Sequence, residues 1–403
     1  MASPQLNPRI RDVVIVSGAR TPVGRFGGAF KDMRGSDLGG IAIKAAVERA
    51  GIAPASVDEV IMGNVLQAAE TGYLARRAML NAGLPESVPA MTVNRACSSG
   101  LEAINLAVQS IMTGESEIVV AGGADNMSQS PYLMQGVRFD GPKMGDVPMI
   151  DSLVMGLSCP IYDYHMGVTA ENVAERFEVA RADQDKLALV SHQRAVAAQE
   201  AGYFDSQIVP VEVPQRRGDP IVITKDEHPR SDTTLEGLAK LQTVFKKDGT
   251  VTAGNSAGIN DAAAAVVVMS AERAAAEGLT PRMRWVGRGV SGVDPTIMGT
   301  GPVPSTLKVL AKTGMSLDDI DVIELNEAFA AQVLYVIREL GMDQGKTNVN
   351  GSGISLGHPV GATGAIMVVK LMEELARRDE QFGLATMCVG GGQGVSTIFE
   401  RLN

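Results

Sequence analysis

The chain has 403 residues, 45% of them hydrophobic and 20% charged, the balance of a globular protein of two or three domains with ample core. A net charge of -10 and only 4% aromatics exclude the basic, aromatic-lined groove of a single-stranded nucleic-acid binder. They also disfavour DNA or an anionic membrane as partner. Three widely spaced cysteines, Cys97, Cys159 and Cys388, make neither a disulfide framework nor a zinc pattern and fit a reducing compartment. With no apolar signal core near the first residue and no run of about 18 apolar residues, a cytoplasmic location without a membrane span is the expectation.

Residues 13–17 read as a strand, followed by turn-rich sequence from Gly18 to Gly28. A helical pattern over 36–50 is broken by Gly51 and Pro54. Residues 60–62 read as a buried strand, 73–82 and 99–112 as helices, and 117–121 as a strand. Strands alternating with helices predict an α/β fold. Between about 125 and 250 the pattern changes. This stretch is rich in methionine early (Met127, Met134, Met144, Met149, Met155, Met166), has one long amphipathic segment over 168–202, and ends in charged sequence over 216–248. It reads as an inserted lobe covering a site, or as a structural excursion; its methionines fit adaptable core packing equally well. Its basic residues, Arg216, Arg217, Lys225, Arg230, Lys240, Lys246 and Lys247, are either a local patch for a polyanion or a solvated surface.

After the lobe the early order returns. Gly51-Ile52 leads through Asp58-Glu59-Val60-Ile61-Met62-Gly63 to Asn64, and Gly314-Met315 leads through Asp319-Ile320-Asp321-Val322-Ile323-Glu324-Leu325 to Asn326. Cys97 follows Asn64 by 33 residues (97−64), and His358 follows Asn326 by 32 (358−326). A Gly- and Ala-rich helix and a strand ending in glycine come next in both. The repeat predicts a duplicated domain: residues 1–125 with 250–280 as one half, 126–249 as the lobe, and 281–403 as the other half. It also places Cys97 and His358 in equivalent turns that can meet at a pseudo-twofold axis.

Four positions carry candidate chemistry. Cys97 precedes a helix, whose N–H dipoles favour thiolate, and has small neighbours Ala96, Ser98, Ser99 and Gly100; the alternative is an inert buried cysteine. His358 sits among glycines, where a neutral imidazole can activate a thiol, or is simply a turn histidine. Cys388 ends a strand beside Gly390, Gly391 and Gly392, whose N–H groups can form an oxyanion hole; alternatively it is a small apolar strand residue. Asn326 can orient water or the imidazole, or cap a turn. An interior Glu327 has to be paired or functional.

The Cys97 motif, the run from Gly254-Asn255 to Asn260-Asp261, Asn326-Glu327-Ala328-Phe329, Gly357-His358-Pro359 and Cys388-Val389-Gly390 together resemble the thiolases over the whole length. The resemblance implies a five-layered α/β/α/β/α core from two similar halves, an inserted loop lobe, and a homotetramer built as a dimer of dimers. It implies reversible condensation of two acetyl-CoA to acetoacetyl-CoA and CoA, with acyl-CoA and CoA as ligands and no metal or cofactor. In that reading Cys97 is acylated and His358 is its base. Asn326 holds a water of the first oxyanion hole, and Cys388 moves the Cα proton. The N–H groups of Cys97 and Gly390 form the second hole. Met166 and Met298 would line a shallow acyl pocket, with Ala328 and Phe329 beside it. Phe245 and Ala253 match pantetheine-contacting positions. The chain departs from the short-chain pattern in Asn255-Ser256-Ala257-Gly258, where the serine is displaced by one place, putting the Ser256 contact in question. The rival readings are a broader-chain 3-ketoacyl-CoA thiolase, a decarboxylating ketosynthase and a non-catalytic lipid-binding relative.

Overall fold

The structure is a computed structural model that describes residues 11–403. Its first half runs β1 (Val13–Arg20), α1 (Gly35–Ala50), β2 (Glu59–Gly63), α2 (Leu74–Asn81), β3 (Ala90–Val93), α3 (Ser99–Thr113) and β4 (Ile118–Asn126). After the lobe, which carries α4 (Met166–Arg176) and α5 (Arg181–Glu200), β5 (Asn260–Ser270) returns to the sheet. The second half runs β6 (Met283–Gly292), α6 (Pro302–Thr313), β7 (Val322–Leu325), α7 (Ala330–Leu340), α8 (Thr363–Arg378), β8 (Phe382–Val389) and β9 (Gln393–Arg401).

These strands form one sheet in the order β7-β8-β9-β6-β1-β5-β4-β2-β3, joined between halves by a short antiparallel pairing of β1 with β6. Within each half the pairs nearest the join are antiparallel and the outer ones parallel. Strand periodicity sorts the core into layers. On β5, Ala262, Ala264, Val266 and Val268 face one cluster with Leu101, Ile104, Val108, Val368 and Val369 of α3 and α8. The alternate residues Ala263, Ala265, Val267 and Met269 face α1 and α2. In the second half Leu384 and Ile398 face α6 and α7, while Met387, Val395 and Phe399 face α3 and α8. Helices therefore cover both outer faces, and the pair α3–α8 fills the middle.

That pair crosses through two glycines. A Cβ on Gly100 would lie 2.9 Å from the Ala365 nitrogen, and one on Gly364 would lie 2.5 Å from the Leu101 nitrogen. The reciprocal contact marks the pseudo-twofold axis.

Two expectations change. The segment over 168–202 is two helices, α4 and α5, separated by a break that includes Glu178 at φ +54°. The lobe's methionines divide: Met127 and Met166 are buried, but Met134, Met144, Met149 and Met155 are exposed and pack no core. The lobe's basic residues differ in their surroundings. Lys240 pairs with Glu236, Lys246 pairs with Glu175, and Arg216 lines a groove with Asp32, Asp37 and Glu212. Among the described residues no helix is long and apolar enough to cross a membrane.

The glycine crossing gives a direct test. Gly364→Ala is expected to lower the urea midpoint by an amount equal to about 1–3 kcal/mol, the cost of forcing a methyl into packed backbone. Gly314→Ala, at a helix C-cap with open space around it, is expected to cost only the left-handed backbone strain, about 1 kcal/mol.

Candidate active site

The site is built where the two middle helices begin. Between β3 and α3 the chain turns sharply, with Ala96 held at φ +43°. The turn is locked locally: the Asn94 side chain accepts from Ala96 N at 2.9 Å, and the Ser99 hydroxyl accepts from Arg95 N at 2.9 Å while donating to the Ala96 carbonyl at 2.7 Å. This presents Cys97, half-buried, ahead of α3. The backbone N–H groups of Gly390 and of Cys97 itself lean on the sulfur and favour thiolate. Burial works the other way and prevails, helped by the negative charge of Asp125, so the thiol sits above its ordinary range.

His358 arrives from the second half and is buried. Its Nδ1 lies 2.7 Å from the Thr363 hydroxyl, which itself donates to the Pro359 carbonyl at 3.1 Å, and its Nε2 lies 3.4 Å from Asn326 Nδ2. Because the Thr363 proton is spent on Pro359 and Asn326 Nδ2 is a donor, Nδ1 carries the imidazole proton and Nε2 the lone pair. Burial lowers the imidazole to about 4, so it is neutral at physiological pH. The Asn326 Oδ1 atom is buried without a hydrogen-bond partner among the described residues, leaving an acceptor for a water.

Cys388, at the end of β8, is fully buried, and burial together with the neighbouring Cys97 pushes its thiol up. It packs with Met166, Met298, Ala328, Phe329, Cys159 and Val251, against which Phe245 and Tyr164 lean. Phe245 stacks on His165 at 4.7 Å and meets Phe329 edge-on at 6.1 Å. Five of the sequence candidates, Met166, Phe245, Met298, Ala328 and Phe329, thus form the apolar wall beside Cys388. Ala253 is exposed on the adjoining loop. Ser256 donates to the Thr252 carbonyl at 2.7 Å, so its hydroxyl proton is used within the loop. Glu327 is interior and paired: Ser191 donates at 2.5 Å and Asn348 at 2.9 Å.

The equivalence of Cys97 and His358 needs one correction. Their turns correspond, but their positions within them do not. Cys97 lies two residues before α3, and the residue two before α8 is Gly361. The segment from Asn326 to the start of α8, α7 included, spans 37 residues (363−326) against 35 (99−64) in the first half, and His358 stands three residues before the Cys97 counterpart (361−358). Sequence reasoning also missed three residues that hold the loops: Asp125, Thr363 and Asn260. Only Asn260 lay within a motif.

A duplicated α/β fold in which Cys97 faces the buried Cys388 and packs against Val360, on the loop that carries a neutral imidazole from the second half, defines the class. Residues 13–272 match the family described as "Thiolase, N-terminal domain", and 279–401 match "Thiolase, C-terminal domain". The chain belongs to the thiolase family. It is 50% identical over 391 residues to an acetyl-CoA acetyltransferase of Cupriavidus necator, covering 97% of this chain and 99% of that one. It is similar to the crystal structure of the Bacillus anthracis acetyl-CoA acetyltransferase, with a TM-score of 0.96 and 48% identity over 98% of this chain and all of that one. Human mitochondrial 3-ketoacyl-CoA thiolase in complex with CoA is also similar, with a TM-score of 0.94 and 45% identity over 98% and 99% of the two chains.

A raised thiol beside a neutral imidazole predicts a pH profile. Alkylation of Cys97 by iodoacetamide, followed by peptide mass spectrometry, is expected to accelerate steadily up to and beyond pH 9. A plateau below pH 7 would show a preformed thiolate–imidazolium pair and contradict this electrostatic account.

Proposed function

We propose that this thiolase interconverts two acetyl-CoA with acetoacetyl-CoA and CoA through an acetyl group carried on Cys97. The observation that carries the reading is the convergence of half-buried Cys97 and buried Cys388 with Gly390, beside an apolar wall of Met166, Met298 and Phe329. The half-identical acetyl-CoA acetyltransferase of C. necator supports the same substrate.

The protons balance without a metal or cofactor. Cys97 attacks the acetyl-CoA carbonyl as its proton passes to His358 Nε2. The departing CoA thiolate takes a proton from Cys388, leaving acetyl-Cys97, an imidazolium and a Cys388 thiolate. That thiolate removes a Cα proton from the second acetyl-CoA. The enolate oxygen is met by the imidazolium N–H and by a water on Asn326 Oδ1. Donors aimed at such an oxygen contribute about 3–4 kcal/mol each. The enolate carbon attacks the acetyl carbonyl, whose oxygen faces the N–H groups of Cys97 and Gly390. Collapse expels the Cys97 thiolate, which recovers its proton from His358, and both thiols are again neutral.

Separate roles for the thiols give a split test. In Cys388→Ala, acetyl-CoA is still expected to label Cys97, more slowly, because CoA can leave as a thiolate without the Cys388 proton whereas Cα deprotonation has no substitute base. Thiolysis of acetoacetyl-CoA is expected to fall about 10²–10⁴-fold, the usual worth of a positioned acid–base group. Parallel loss of both, or preference of the unaltered protein for a long-chain 3-ketoacyl-CoA over acetoacetyl-CoA, would overturn the assignment.

The proposal extends to a cytoplasmic homotetramer. The lobe segment containing Tyr132, Met134, Phe139, Met144, Met149 and Ile161 exposes large apolar side chains, more than an isolated chain ordinarily leaves in water, and a second copy is the proposed cover. Light scattering is expected to give about four times the 42.3 kDa chain mass. A monomer would refute it.

A further inference from the structure

The His358 loop is held from behind by a histidine of the lobe. His358 N donates to Asn260 Oδ1 at 3.1 Å. The amide nitrogen of Asn260 donates to the Gly24 carbonyl at 3.0 Å and lies 3.3 Å from His228 Nδ1. The backbone of Ile354, in the same segment, also lies beside the His228 imidazole. One imidazole thus braces the loop at His358, through Asn260. Fit is close on both sides. Gly357 takes φ +97°, where any Cβ would fall 2.4 Å from Asn260, and a Cβ on Gly258 would fall 2.2 Å from His228.

His228 is itself anchored to the first half. The preceding Asp226 forms a buried two-point ion pair with Arg20, at 2.7 and 3.0 Å, and also accepts from Val23 N at 2.8 Å. Glu227 N donates to the Val23 carbonyl, and its carboxylate accepts from Arg25 N and Ala29 N. The lobe is therefore stitched to residues 20–29 immediately before the side chain that reaches the loop. The hydrogen-bond roles are also determined. Asn260 Oδ1 must accept from His358 N, so its amide donates to His228 Nδ1, and the imidazole proton lies on Nε2.

We infer that His228, acting through Asn260, is a positioning residue that sets the depth of His358 in the site and makes the lobe a working part of the catalytic geometry. It touches no reacting atom. Its effect is on where the imidazole Nε2 stands relative to Cys97, and misplacement of about 1 Å at such a point costs about 10²-fold in rate. The inference rests on the reading of His358 as the base for Cys97.

The test compares His228→Leu with His228→Asn in acetoacetyl-CoA thiolysis, alongside folding midpoints. His228→Leu is expected to lower kcat about 10²-fold with KM for acetoacetyl-CoA within about twofold, since the wall beside Cys388 is untouched. His228→Asn keeps an acceptor for the Asn260 amide and is expected to regain about tenfold of that loss. An unchanged kcat in His228→Leu overturns the inference. So does a loss that His228→Asn does not relieve, or one that tracks the folding midpoint in both variants. Acetyl-Cys97 in the unaltered protein distinguishes the two levels. If it forms while the variants fail the expectation, the inference alone falls; if it never forms, the functional reading falls and takes the inference with it.

Discussion

One buried carboxylate ties the two halves together. Asp125, at the end of β4, accepts from the Asn64 side chain at 2.6 Å and from Val65 N and Leu66 N at 3.0 and 3.1 Å, all in the first half. From the second half it accepts from Gly361 N at 2.7 Å. Burial pushes its carboxyl up to about 7, yet every neighbour is an N–H donor, and only the carboxylate can satisfy all four. The charge is kept by these bonds, and the bonds exist only if the loops after β2 and before α8 meet. Its cost reaches the chemistry: the same charge opposes ionisation of Cys97.

Strand register shows why that carboxylate stands where it does. Gly63, just before Asn64, pairs with Gly123; Leu325, just before Asn326, pairs with Thr386. Two residues further on lie Asp125 and Cys388, which are therefore counterparts. Gly361 is in turn the counterpart of Cys97. The duplicated scaffold makes the same corner twice. On one side a carboxylate clamps a backbone N–H and closes the structure; on the other, two thiols face each other and the corner stays open to chemistry. Asn64 and Asn326 carry the likeness further, since each has a buried Oδ1 without a partner among the described residues.

Much of this was legible in the chain. Apolar strand runs and the repeat from Asn64 and Asn326 gave the duplicated α/β halves, because a sheet buried on both faces leaves a strong pattern. The motifs located Cys97, Asn326, His358 and Cys388. Sequence spacing did not reveal the two extra residues of the second half, which make Gly361 and not His358 the counterpart of Cys97, since glycine-rich loops absorb length without a periodic signature. Nor did it reveal Asp125 or His228, whose roles depend on contacts 236 residues apart in one case and on a lobe packing back over residues 20–29 in the other. Lys240 and Lys246 looked alike in one charged stretch, but Lys240 pairs with Glu236 one turn away and Lys246 with Glu175 on α4.

Taken together, the electrostatics describe a site whose two thiols and imidazole rest neutral. A thiolate beside the Asp125 carboxylate would be costly, and an imidazolium would set an Nε2 proton against the Asn326 amide donor, so both are disfavoured before substrate arrives. In the proposed cycle the ion pair of Cys388 thiolate and His358 imidazolium appears only once Cys97 is acylated. At that point Cys97 is a thioester and cannot ionise in competition with the second thiol, and the imidazolium compensates the Cys388 thiolate. Acylation is then more than storage of the acetyl group. It is the step that makes Cys388 a base, which orders the two half-reactions by electrostatics.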